Sequence, residues 1–287
     1  MCSPRLMDQV YGRISRRSVF KGMGAVAVAA VAAPATAQTA NAAPGPGGSI
    51  VDLTHVITPD FPVWPGARQF EMRPIAQIGT GSSSLGSLDL APTSVFYKNE
   101  LRLDEHTGTH VDAPAHASPD GITVEQIPPS DLIAPVAVVD ISVRAQDDPD
   151  TVLTRQDILD WESDHGHLPD RCLVALYSGW DTRVALPGAF ANQDRAGVQH
   201  TPGFDPDAVD FLVRERDIVG LGTDTSSIDA GRSTNYGAHL AALGAGKYAV
   251  EILANLAHLP PSGATVMVGA PTHAGGSGGP CRTLAWF

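Results

Sequence analysis

PVAVVDISVRAQDDPDTVLTRQDILDWESDHGHLPDRCLVALYSG, residues 135–179, carries the pattern on which the fold turns. PVAVVDIS (Pro135–Ser142) is a continuous β-branched run, as expected of a strand covered on both faces. From Thr154 to His165 the period changes. Asp157 follows Thr154 by three residues, and Ile158, Leu159 and Trp161 share one face, which predicts a capped helix. CLVALYSG (Cys172–Gly179) is a second buried strand. The alternation continues downstream, with an amphipathic helix over Asp205–Glu215 and a third strand at IVGLGTD (Ile218–Asp224). Gly237–Gly244 fits a short helix, and YAVEILANL (Tyr248–Leu256) reads as strand or helix. ATVMVGAP (Ala264–Pro271) and TLAWF (Thr283–Phe287) read as closing strands. Upstream, Ile50–Leu53 and Leu101–Leu103 are short strands, while PDFPVWPG (Pro59–Gly66) and Gly79–Ser87 are irregular. Strands outnumber helices, and several helices lie between strands. The expected class is α/β with a mixed central sheet, in a single domain over residues 44–287.

Residues 1–43 read as a twin-arginine signal peptide and linker. SRRSVFKG (Ser15–Gly22) pairs Arg16 with Arg17, the small apolar run GMGAVAVAAVAA (Gly22–Ala33) follows, and two small-x-small cleavage patterns come next. Export past the cytoplasm, with the twin-arginine machinery as a partner, is therefore expected. The apolar run is shorter than the roughly 20 residues a membrane span needs, so no stable membrane anchor is expected. The leader holds five of the 19 basic residues and one of the 31 acidic ones, leaving 14 against 30, a formal charge of −16. Such a chain repels nucleic acid and anionic membrane, and no basic patch or cation-flanked aromatic platform offsets that. Cys172 and Cys281 are too few for a disulfide framework. Cys172, in an apolar run, reads as a small buried residue.

HTGTHVDAPAH (His106–His116) gathers His106, His110, Asp112 and His116 into eleven residues. His110 and Asp112, two apart, point to the same side of a strand. Gly108 lets His106 fold back toward them, and Pro114 ends regular pairing before His116. Imidazole and carboxylate together suit zinc or manganese and do not distinguish them. Of the remaining histidines, His165 and His167 flank Gly166 in a polar loop and should face solvent. His258 has no assigned role, and composition does not choose among His55, His200, His239 and His273. Gly275-Gly276-Ser277-Gly278-Gly279 matches a bare G-x-S-x-G pattern, but a nucleophile elbow sits between a strand and a helix. Here a glycine-rich loop runs into Pro280 and a strand, so it reads as a loop near the active site.

HTGTHVDAPAH resembles the H-x-G-T-H-x-D-x-P-x-H motif of the metal-dependent cyclase superfamily, to which bacterial kynurenine formamidase and isatin hydrolase belong. VDLTHVITPDFPVWPG, GLGTDTSSID, VEILANLAHLP and CRTLAWF extend the likeness in the same order. The resemblance implies a swivelling β/β/α-type domain with two divalent metal ions, Zn(2+) or Mn(2+). His106, His110 and Asp112 match ligands of the first metal, and His239 and Glu251 those of the second, with Asp112 reaching both. His116 matches the catalytic histidine and Trp64 an aromatic beside a small-molecule substrate. The implied reaction is hydrolysis of an amide, imide or cyclic amide C–N bond by a metal-activated water. The alternatives are a lactone or ester hydrolase on the same site, or a non-catalytic small-molecule or metal-binding protein with the same fold. Gly179–Thr201 should line or cover the pocket, with Arg183 a contact for an anionic substrate if it is not simply exposed. The family also implies a homodimer or homotetramer, although no residue marks an interface.

Overall fold

β-Branched and apolar runs become strands wherever both faces are covered. The computed structural model describes residues 48–78 and 96–287. The segment read as a twin-arginine leader, most of the linker and the Gly79–Ser87 stretch lie outside the described residues. In chain order the strands are β1 (Ile50–Asp52), β2 (Glu71–Ala76), β3 (Lys98–Arg102), β4 (His110–Asp112), β5 (Ile133–Asp140), β6 (Val152–Leu153) and β7 (Cys172–Tyr177). Then follow β8 (Gly203–Phe204), β9 (Ile218–Thr223), β10 (Tyr248–Glu251), β11 (Ala264–Gly269), β12 (Gly278–Pro280) and β13 (Arg282–Trp286). The helices are α1 (Ser142–Asp147), α2 (Arg155–His165), α3 (Pro206–Glu215) and α4 (Gly237–Gly244).

A nine-stranded sheet runs β1-β13-β11-β5-β7-β9-β10-β4-β12. Its centre, β5-β7-β9-β10, is parallel, and the flanking pairs are antiparallel, which is the mixed α/β sheet expected. Each parallel step needs a crossover, and α2, α3 and α4 lie between successive central strands. The period of two sorts the strand side chains. Ala137, Val139, Val174 and Leu176 face α2 and α3 in one core, while Val136, Val138, Leu173 and Ala175 face the opposite core with β11 and β13. Burying each Val or Leu fully contributes roughly 1.5–3 kcal/mol, so a sheet covered on both faces is the main store of stability.

The predicted caps are present. Thr154 Oγ1 accepts from the Asp157 N–H while Asp157 Oδ2 accepts from the Thr154 N–H, the reciprocal box that starts α2. Asp205 caps α3, with Pro206 in its first turn. The ambiguous Tyr248–Leu256 run resolves as a strand that stops at Glu251, because Ile252 turns to φ +56°. Cys172 and Cys281 are both buried and unbridged. Among the described residues no helix is long and apolar enough to cross a membrane.

Candidate active site

β4 inserts between β10 and β12, and this puts the histidine motif against residues 140 positions downstream. His110 lies directly opposite Glu251, and Asp112 opposite Ala249. Two residues earlier, Gly108 takes φ +68°, and a Cβ there would lie 2.6 Å from the Ile57 side chain, so only glycine makes this turn. After β4, Pro114–His116 forms one 3-10 turn that aims His116 back at the cluster. The imidazoles of His116 and His106 lie 3.9 Å apart, centroid to centroid, and those of His116 and His239 lie 5.8 Å apart.

His106, His110, Asp112, His116, His239 and Glu251 are thus brought together. Four of them are almost sealed: His110 is 1%, Asp112 0%, Glu251 5% and His239 8% exposed. Asp112 Oδ1 lies 2.6 Å from His106 Nδ1 and 3.2 Å from His110 Nε2. Glu251 spans His110 and His239, with Oε2 3.4 Å from His110 Nε2 and Oε1 3.2 Å from His239 Nε2. Asp112 Oδ2, 3.6 Å from His239 Nε2, faces the same point. His239 comes from the first turn of α4. Among the histidines that composition left open, it alone joins the cluster. His55 packs on Phe61, His200 pairs with Asp150, and His273 pairs with Glu105. His165 and His167 are exposed, as expected, and so is His258.

Hydrogen bonds from behind decide which nitrogen each buried ring presents. His110 Nδ1 donates to the Gly108 carbonyl at 2.8 Å, leaving Nε2 bare and without a hydrogen-bond partner. His239 Nδ1 donates to Asp229 Oδ2 at 2.6 Å, leaving its Nε2 bare as well. Asp229 also accepts from the N–H groups of Ala238 and His239, so one carboxylate starts α4 and sets the ring it carries. Asp229 was not singled out in the sequence. Its signal was its place at the end of GLGTDTSSID, where it and Asp224 are the two acidic residues.

Two buried carboxylates facing bare imidazole nitrogens require positive charge. Protons are one source. Burial disfavours a charged His110, but the Asp112 and Glu251 carboxylates outweigh this and raise it to about 10. Burial likewise opposes charge on His239, and its bonds to Asp112, Asp229 and Glu251 push it up to about 12. Metal ions are the other source. Two donor groups, His106–His110–Asp112 and Asp112–His239–Glu251, each bring their ligand atoms within 4.8 Å of one another and share Asp112. The unpartnered Asp112 Oδ2 and His110 Nε2 are the orphaned atoms that cation coordination satisfies. The donor set therefore fits a divalent metal centre. His116 differs: burial lowers it, against the pull of the Asp112 charge, which keeps a neutral ring.

A cavity of about 480 Å³ opens over this cluster. His106, His110, His116, His239 and Glu251 form its floor, and Trp64, Phe190, Tyr236, Leu240 and Ile252 its apolar walls. Trp64 thus stands in the pocket wall, and Phe190, Ala191 and Gln199 bring the Gly179–Thr201 segment there too. Arg183 does not line the cavity. Its guanidinium is half-buried, 3.6 Å above the Trp180 ring, so neither a substrate contact nor plain exposure describes it. No Lys or Arg lines the cavity among the described residues.

The profile of the Cyclase family (“Putative cyclase”) matches residues 51–230. An isatin hydrolase of Roseibium aggregatum is 33% identical over 248 residues, spanning 82% of this chain and 90% of its own. A kynurenine formamidase of Salinibacter ruber is 28% identical over 239 residues, spanning 82% and 96%. The solved structure of isatin hydrolase A from Labrenzia aggregata, bound to benzyl benzoate, superposes with a TM-score of 0.73 at 36% identity, covering 83% of this chain and 93% of that one. A central sheet that buries two carboxylates among bare imidazole nitrogens, in a chain so similar to these enzymes, belongs to the cyclase family, among its hydrolases.

Proposed function

We propose that the protein hydrolyses the C–N bond of a small, uncharged cyclic or aryl amide at a centre of two divalent ions, Zn(2+) or Mn(2+). The observation that carries this is the convergence of bare imidazole nitrogens and two sealed carboxylates at the floor of an apolar cavity. His106, His110 and Asp112 would hold one ion, and His239 and Glu251, with Asp112, the other. The chemistry such ions supply is acidification of water and polarisation of a carbonyl.

The chain's own residues do the rest. Trp64, Phe190 and Tyr236 offer flat apolar faces to an aromatic substrate and exclude bulk water from the floor. Asp229 holds His239 in one tautomer. His116, neutral and not among the ligands, accepts a proton at its ring nitrogen and returns it to the leaving nitrogen as the C–N bond breaks. With no Lys or Arg in its walls and the Asp104 carboxylate among its lining residues, the cavity favours a neutral amide over a carboxylate-bearing one. The relatives named isatin hydrolase point toward the same kind of substrate. The twin-arginine leader supports a site of action outside the cytoplasm.

The test joins elemental analysis of the purified protein to a panel of isatin, N-formylkynurenine, cyclic imides and lactones. Turnover of isatin or cyclic imides well above that of lactones is expected. Lactones alone being turned over would move the reading to the lactonase alternative. Bound metal with no turnover anywhere would leave a binding protein.

A further inference from the structure

The glycine-rich loop Gly275–Gly279 presses directly on the back of His106. A Cβ on Gly278 would lie 2.3 Å from the Val111 carbonyl and 2.8 Å from His106 Cε1. One on Gly276 would lie 2.3 Å from His273 Nε2. Absent side chains let Ser277 between them reach the ring. Its hydroxyl lies 2.9 Å from His106 Nε2 and donates to Glu105 Oε2 at 2.6 Å. The Ser277 N–H donates to the same oxygen at 3.2 Å, and the other Glu105 oxygen pairs with His273 Nε2 at 2.5 Å. Ser277 does not line the cavity, so its hydroxyl faces the histidine and not a substrate carbonyl.

A carboxylate only accepts. The Ser277 proton is therefore engaged by Glu105, and the hydroxyl can offer His106 only a lone pair. In a neutral His106 ring, Nε2 must then carry the hydrogen, which leaves Nδ1 bare, 2.6 Å from Asp112 Oδ1. A bare nitrogen against a carboxylate oxygen is not a hydrogen bond; it is half of a cation site. His110 is held in the opposite sense, with Nδ1–H on the Gly108 carbonyl and Nε2 bare. We propose that Ser277, oriented by Glu105, is a positioning residue that fixes the Nε2–H tautomer of His106 and so raises the affinity of the first donor group for a divalent cation. This rests on the metal-dependent hydrolase reading. It gives the G-x-S-x-G pattern a role other than nucleophile.

The test is calorimetric titration of the metal-free full chain with Mn2+ and, separately, Zn2+. Ser277→Ala should weaken binding roughly 10–100-fold, as loss of such outer partners does elsewhere. Ser277→Thr, which keeps the hydroxyl, should recover most of it, and Glu105→Gln should fall between. Glu125→Gln is the control for loop anchoring. Glu125 accepts from the Gly275 N–H at 3.0 Å in the same loop but does not touch His106, so affinity should stay near wild type. Ring-nitrogen NMR of the Zn2+-loaded protein should show the His106 proton on Nε2. Equal affinity in Ser277→Ala and wild type overturns the proposal and leaves the hydrolase reading intact. So does a loss in Glu125→Gln as large as in Ser277→Ala. A wild type that binds neither ion overturns both.

Discussion

His116 and Asp112 are four residues apart and have opposite duties. Asp112 lies within 3.6 Å of His106, His110 and His239, and burial would push it up, yet His110 beside it holds it well below the usual carboxylate range. His116 makes ring contacts only. His116→Ala should keep its metal by elemental analysis and lose turnover by about 10²–10⁴-fold, the usual worth of a positioned acid–base group. Asp112→Ala should lose metal and turnover together. Metal loss in His116→Ala would place that ring among the ligands instead. The HTGTHVDAPAH half of the site was legible because its residues are neighbours in sequence and two of them, His110 and Asp112, share a strand face. His239 was legible only through family resemblance, which also named Glu251, a lone charge in an apolar stretch where an unpaired carboxylate is costly. Asp229 was missed because its work lies in hydrogen bonds to another element. Ile252 carries a further residue-scale feature, a β-branched side chain at φ +56° beside Glu251. Its N–H bonds to Thr225 and its carbonyl to Thr109, which hold a conformation that costs about 1–3 kcal/mol.

At the scale of elements, capping and periodicity were enough to place α2, α3 and the central strands, because each is determined by local rules. Tyr248–Leu256 was not decidable, since an apolar run broken only by Glu251 and Asn255 suits strand or helix, and the break at Ile252 is imposed by tertiary bonds. The helices are also tied to one another. Arg216, just after α3, forks onto Glu162 of α2 at 2.8 and 2.7 Å, and its guanidinium lies 4.5 Å over the Phe211 ring. The Glu162 side chain is only 8% exposed. The Arg216 bonds, against a smaller burial effect, lower Glu162 from 4.5 to about 2. A depressed carboxylate stabilises the fold above its unfolded value and ceases to do so as pH falls through its folded one. Glu162→Gln should therefore cost about 1.5–3 kcal/mol at neutral pH, measured by urea unfolding. The gap to wild type should close between pH 4.5 and about 2. A gap that did not change with pH would show that packing, and not the ion pair, accounts for the loss.

At the scale of the whole molecule, the candidate metal-donor cluster joins the two halves of the domain, with β4 from the first and β10 and α4 from the second. Anything that binds only the folded chain stabilises it by mass action. At a hundredfold excess over Kd this is about 2.7 kcal/mol, or a Tm rise on the order of 5–10 °C for a domain this large. Chelation should lower Tm by that amount, and re-addition of Mn2+ or Zn2+ should restore it. A Tm indifferent to chelator would mean that no ion is held. The placement of β4 has one more consequence. It is three residues long, and its pairing alternates His110 and Asp112 on one face with Val111 on the other. A slip of one position would turn the valine into the site and both ligands into the apolar layer. On the proposed reading, ions held through His110 and Asp112 of β4 and Glu251 of β10 would proofread strand alignment, rewarding the native pairing and no neighbouring one. The metal content of a preparation would then count the molecules whose sheet was assembled without error.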